Sequence, residues 1–171
     1  RRAEGALFAK CLAHSDEVLV TEYGSGGNLE EGMLNGKLNE VLAGQIVCDV
    51  ARAITGLHAS VGREEKFAHR DVKGKNVVLF CDCQGLCDGS WDASKHVMTA
   101  KLIDFEGLAN EAECRAIVFE GTQLYKWPKM QDQSLKSWQA SDWYAFGVIV
   151  MDLVEAIRGE FKMREKRVDT L

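Results

Sequence analysis

The chain has 171 residues, 46% of them hydrophobic and 27% charged, which suits one ordinary globular domain. Its 21 basic and 26 acidic residues give a formal net charge of -5, the wrong sign for a nucleic-acid binder. The longest apolar stretch, residues 143–157, is broken by Asp152 and Glu155 and is too short to span a bilayer.

Residues 1–10 hold no long apolar run, so no signal peptide is expected. The first residue is Arg1 rather than Met, as in a processed product or a fragment. Residues 6–13 and 17–23 read as two strands joined by a turn at His14-Ser15-Asp16. The second, with Val18-Leu19-Val20-Thr21, is apolar and β-branched like a buried strand. Gly24-Ser25-Gly26-Gly27 ends it, and Asn28 is the expected N-cap of a short helix through Leu34. The spacing of Val41, Leu42, Ile46, Val47, Val50, Ile54 and Leu57 predicts an amphipathic helix over residues 39–58. Residues 69–76 have neither period and read as a loop. Strands follow at 77–80 and 97–103, separated by a Gly/Asp/Cys-rich loop; residues 104–136 read as irregular.

A last helix is predicted over residues 141–158. Trp143, Tyr144, Phe146, Val148, Ile149, Val150, Met151, Leu153 and Val154 make it apolar on nearly every side, so it should be buried all round. Few residues follow it, and they are mostly charged. A partner or a missing chain segment is therefore expected to cover it. The basic run at 162–167 reads as a solvated helical face. Cys11, Cys48, Cys81, Cys83, Cys87 and Cys114 are irregularly spaced and read as reduced thiols of a cytoplasmic or other reducing compartment. Cys81, Cys83 and Cys87 match no standard zinc spacing. A single proline, Pro128, and the absence of a linker give no reason to divide the chain.

His69-Arg70-Asp71-Val72-Lys73-Gly74-Lys75-Asn76 fits the pattern H-R-D-x-K-x-x-N at every fixed position. An exposed charged turn is the bland alternative. Leu102-Ile103-Asp104-Phe105-Glu106-Gly107 follows at the end of a strand. Gly121-Thr122-Gln123-Leu124-Tyr125-Lys126-Trp127-Pro128 and Ser141-Asp142-Trp143-Tyr144-Ala145-Phe146-Gly147 follow in turn. In this order the segments resemble the eukaryotic-type Ser/Thr protein kinase domain, over about residues 6–158. Lys73, two residues after Asp71, is of the Ser/Thr rather than the Tyr type.

The resemblance implies an α+β, protein-kinase-like fold: a mainly α-helical C-lobe with short β-hairpins and an incomplete N-lobe. Residues 1–23 would be the last N-lobe strands and the start of the hinge, and residues 24–171 the C-lobe. It implies ATP and Mg²⁺ as cofactors and a protein substrate. Asp71 would orient the attacking hydroxyl and take its proton, Lys73 would stabilise the transferring phosphoryl group, and Asn76 and Asp104 would hold the metal. Thr21, Glu22, Gly24 and Val78 would surround the adenine. His69, Arg70, Phe105 and Asp142 would support the catalytic loop, and Thr122 would position substrate.

Four departures stand against that pattern. Glu106 occupies the place of a glycine or precedes it as an insertion, which puts the backbone there in question. Lys129 replaces a glutamate. The Gly-rich loop and the phosphate-binding lysine are not among these residues and would precede Arg1. Residues 107–120 hold no Ser, Thr or Tyr, so Arg70 is expected to meet Glu111, Glu113 or Glu120 instead of a phosphate. Two other functions therefore accompany the kinase reading: an inactive truncated lobe used as a scaffold or assembly subunit, and a pseudokinase that binds nucleotide without turnover.

Overall fold

The computed structural model describes residues 7–15, 17–59, 65–81, 98–116, 119 and 121–162. Two short antiparallel hairpins and two long helices carry the architecture. β1 (Cys11–His14) pairs with β2 (Leu19–Thr21). Ser15 closes the turn between them: its N–H donates to Val18 O at 2.8 Å and its Oγ accepts from Val18 N at 3.2 Å. Asp16 lies outside the described residues. The burial expected of the second strand is absent, since Leu19 is 62% exposed and Val18 and Val20 are also open. Apolar β-branched composition reports what a strand can bury; an additional layer is needed to bury it.

α1 (Leu29–Leu34) is capped as expected, Asn28 Oδ1 accepting from Glu31 N at 2.9 Å. α2 (Glu40–Ala59) starts behind Asn39, whose side chain accepts from Leu42 N at 2.8 Å. Leu42, Ile46, Val50, Ala53 and Ile54 form its buried stripe, but Val41 is 83% exposed. Val41 sits in the first turn and off that stripe.

β3 (Val77–Cys81) and β4 (Met98–Leu102) pair from Val77↔Leu102 to Cys81↔Met98. Val77, Leu79, Met98, Ala100 and Leu102 face the core on α2. Asp49, fully buried on α2, pins the hairpin by accepting from Ala100 N at 3.1 Å and from Gln45 Nε2 at 2.7 Å. The predicted start of the return strand at Val97, the long loop, and Cys83 and Cys87 lie outside the described residues. Cys11, Cys48 and Cys114 are free thiols. Cys81 is disulfide-bonded, which corrects the reading of all six cysteines as reduced.

Residues 104–136, expected to be irregular, contain α3 (Glu111–Ala116). Its start is a reciprocal cap: Asn110 Oδ1 accepts from Glu113 N at 3.0 Å, and Glu113 Oε2 accepts from Asn110 N at 2.9 Å. α4 (Leu135–Ile157) begins before the predicted Ser141 because Ser134 supplies the N-cap, its Oγ accepting from Ser137 N at 3.2 Å. One face of α4 packs on α1 and α2 through Ala145, Val148, Ile149 and Leu153. The opposite face carries Trp143, Tyr144, Met151 at 57% exposure, and Val154. Burial all round is therefore not supplied by the described residues. No helix among them is long and apolar enough to cross a membrane.

Candidate active site

The loop between α2 and β3 is held from below by one carboxylate. Asp142 on α4 is buried; its Oδ2 accepts from His69 N at 2.8 Å and its Oδ1 from Arg70 N at 2.9 Å. His58, near the end of α2, donates Nε2 to the same Oδ2 at 2.9 Å. These bonds hold Arg70 at φ 70°, a left-handed conformation that a non-glycine residue adopts only under constraint.

His69 is fully buried, with Nε2 donating to Ile103 O at 3.0 Å. Burial pushes its imidazole below the usual range, and the nearby Asp142, Asp71 and Asp104 only partly offset this. The ring packs 5.3 Å from Phe105, which meets Phe8 edge-on at 5.8 Å. The loop, the segment after β4 and the β1 side are thereby joined by one aromatic row.

Above this base stand the polar groups. Asp71 Oδ2 takes a 2.6 Å ion pair from Lys73 Nζ. Its Oδ1 accepts from the Thr122 hydroxyl at 2.7 Å and Thr122 N at 3.1 Å, and Lys73 Nζ also donates to Thr122 Oγ1 at 3.0 Å. Burial pushes the Asp71 carboxyl up, but the bonds from Lys73 and Thr122 outweigh it and leave its pKa below the usual value. Asn76 closes the turn Gly74–Asn76, donating Nδ2 to Asp71 O at 2.9 Å and, more weakly, to Asp71 Oδ2 at 3.3 Å. Its side-chain carbonyl is left as a free donor atom for a hard cation.

Asp104 makes no side-chain hydrogen bond among the described residues and stands exposed at φ 64°. Ile103 N donates to Asn76 O at 2.9 Å, so Asp104 follows directly after the residue paired with Asn76. The two oxygen donors thus flank the same end of the β3–β4 pair, Asn76 before β3 and Asp104 after β4. Glu106 corrects an expectation: it lies exposed in the turn Phe105–Gly107 and its φ is not positive. The residue that must be glycine is Gly107, where a Cβ would sit 2.7 Å from His69 O and 3.0 Å from Phe119.

Arg70 is buried, its Nε donating to Gly107 O. Its guanidinium lies 4.7 Å over Phe119 and 5.7 Å over Trp138, in cation–π geometry. Of the glutamates expected near it, Glu111 pairs with Arg115 at 2.7 Å, while Glu113 caps α3 and lies close enough for its charge to favour the Arg70 guanidinium. Glu120 lies outside the described residues.

The residues expected around the adenine fall into two groups. Gly24 runs so close to Val78 that a Cβ would meet its Cγ1 at 2.1 Å, and Leu79 ties the strand to this turn through Gly26 N→Leu79 O at 2.8 Å. Thr21 is exposed at the end of β2. Glu22 N donates to Lys10 O at 2.9 Å, while its side chain takes Lys101 Nζ at 2.5 Å and Lys10 N at 2.8 Å. His58, Lys101, Phe119 and Trp138 were not singled out from the sequence. Lys101 alternates with the core residues Ala100 and Leu102 on β4, which marks it as facing away from the core; nothing local marks the other three.

A strand pair, an H-R-D loop and a buried helix aspartate beneath that loop define a protein-kinase fold. The protein kinase domain model matches residues 6–167, and the chain belongs to that family, in its eukaryotic Ser/Thr form. It is 30% identical over 165 residues to Calcium/calmodulin-regulated receptor-like kinase 2 of Arabidopsis thaliana, covering 93% of this chain and 34% of that protein. A probable LRR receptor-like serine/threonine-protein kinase of the same plant is 34% identical over 160 residues, or 89% of this chain and 12% of the relative. Calmodulin-binding receptor-like cytoplasmic kinase 1 is 28% identical over 168 residues, or 94% and 32%. The chain spans about a third or less of these curated relatives.

Proposed function

We propose that this chain is the catalytic part of a protein serine/threonine kinase that transfers the γ-phosphate of ATP to a protein hydroxyl. The observation that carries the reading is the Asp71 carboxylate, kept ionised and aimed by Lys73 and Thr122. A substrate hydroxyl replacing Thr122 Oγ1 on that carboxylate would be oriented by Asp71, which takes its proton as its oxygen bonds to phosphorus. Lys73 would then be free to neutralise charge on the moving phosphoryl group.

Asn76 Oδ1 and the Asp104 carboxylate fit Mg²⁺ by donor chemistry, both being hard oxygens without a hydrogen-bonded proton on them. When bound, Mg·ATP supplies the phosphoryl group and screens its charge. Gly24 and Val78 would form the floor beside the adenine, with Thr21 and the Glu22 backbone along its edge. His69, Phe105 and Asp142 keep the loop in place, and Arg70 ties it to Gly107. Residues 1–23 would close the smaller lobe and residues 24–171 form the larger one.

A scaffold role is the second reading, favoured by the open apolar face of α4, which in either case a partner or a further chain segment would cover. The two separate on one assay with the full-length protein: transfer of labelled phosphate from Mg·ATP to peptide substrates. Wild type should transfer, and Asp71→Asn should lose at least about 100-fold while still unfolding in one cooperative transition. Equal turnover by the two proteins refutes the kinase mechanism; no turnover by either leaves the scaffold.

A further inference from the structure

Lys126 lines the same small crevice as Asp71, Val72, Thr122, Tyr125 and Asp142, about 10 Å³ of open space. Its backbone is fixed there. Lys126 N donates to Thr122 O at 3.1 Å, and the intervening turn Gln123–Tyr125 is anchored by Tyr125 OH on the buried Asp152 at 3.3 Å. Thr122 in turn sits on Asp71 at 2.7 Å. The stem of Lys126 is therefore placed relative to the proposed acceptor site without the help of a flexible loop.

The charge on Lys126 is uncommitted. Its Nζ lies 5.3 Å over the Trp138 ring, and no carboxylate among the described residues pairs with it. Other lysines differ: Lys73 pairs with Asp71 at 2.6 Å, Lys75 with Glu30 at 3.8 Å, and Lys101 with Glu22 at 2.5 Å. The negative charge of Asp71 is thus already answered by Lys73, and Lys126, a lining residue of the crevice, brings a positive charge paired with no described carboxylate. A half-buried ammonium resting on a ring is held in place, so an incoming carboxylate meets it at little ordering cost.

We propose that Lys126 is a specificity-determining residue that selects phospho-acceptor sites flanked by an acidic side chain, Asp or Glu. The inference rests on the kinase reading above. Consecutive Cα atoms are about 3.8 Å apart, so the acidic residue belongs within one or two positions of the acceptor hydroxyl.

The test uses the full-length protein and peptides that differ only in Glu, Ala or Lys at each of the two positions on either side of one acceptor. Wild type should use the best-placed Glu peptide with kcat/KM roughly fivefold above Ala and further above Lys, mainly through KM. Lys126→Met, which keeps the stem on Trp138, should erase the preference; Lys126→Glu should invert it toward Lys. Equal use of Glu and Ala peptides by wild type, or an acidic preference that survives in both variants, overturns the assignment and leaves the kinase reading standing. No transfer to any peptide, with none to the protein itself, removes both.

Discussion

Asp142 is where the support of the loop is most concentrated, and Asp142→Ala is the sharpest perturbation of it. The substitution removes the acceptor of two backbone N–H groups, His69 at 2.8 Å and Arg70 at 2.9 Å, at residues buried in the interior. An unsatisfied buried donor costs about 1–3 kcal/mol, so the two together cost roughly 4 kcal/mol. His58 remains partly accessible and can turn to water, so it adds little. Asp142→Asn keeps one oxygen for one amide and points an NH₂ at the other, for a loss of about 2–3 kcal/mol. Against a domain stability of about 5–15 kcal/mol, the alanine variant should unfold at a urea midpoint lower by about 2 M, taking a slope near 2 kcal/mol/M. Hydrogen exchange should accelerate first at the His69 and Arg70 amides. An alanine variant within about 1 kcal/mol of wild type, with both amides still protected, would refute the view that this carboxylate carries the loop.

Gly107→Ala should destabilise by about 1–3 kcal/mol, because its Cβ would lie 2.7 Å from His69 O, whereas Glu106→Gly should change stability by no more than about 1 kcal/mol; thermal unfolding of the two variants side by side checks which residue needs to be glycine. Burial holds His69 below its usual pKa, so its contribution is fully present above the unfolded-state value near 6.5 and is lost as pH falls toward the folded value. Between pH 7 and 5.5 the unfolding free energy from urea titration should therefore decline by up to about 1.4 kcal/mol per pH unit from this group, and His69→Gln should flatten the decline; equal slopes in both proteins would remove His69 as the source.

Contiguous signals were legible and distributed ones were not. The capped start of α1, the spacing of α2, the β3–β4 pair and the H-R-D loop each lie within a short run of residues, where spacing or a fixed motif marks them. The start of α4 was missed because apolar density begins only at Trp143, while the helix is set by Ser134 and anchored by Trp138 beforehand. α3 was missed although Asn110 and Glu113 form a legible capping pair. Exposure of β2 and of Val41 was not legible, because apolar composition does not say whether another layer is present. The aromatic side of the Arg70 environment was not legible for a related reason. Phe119 and Trp138, 19 positions apart in the chain, supply ring faces to it that no local pattern brings together.

The departures from the family pattern acquire a common reading once burial is known. Glu106 and Lys129 both lie on the surface, where a changed side chain meets water and the backbone needs no special conformation. The groups that must be paired to be buried, Asp142 with the loop amides and Asp71 with Lys73 and Thr122, are all present and bonded. Arg70 follows the same logic. Its guanidinium is already desolvated against two rings and tied to Gly107 O, so a phosphate placed there would have to displace contacts the fold has already formed.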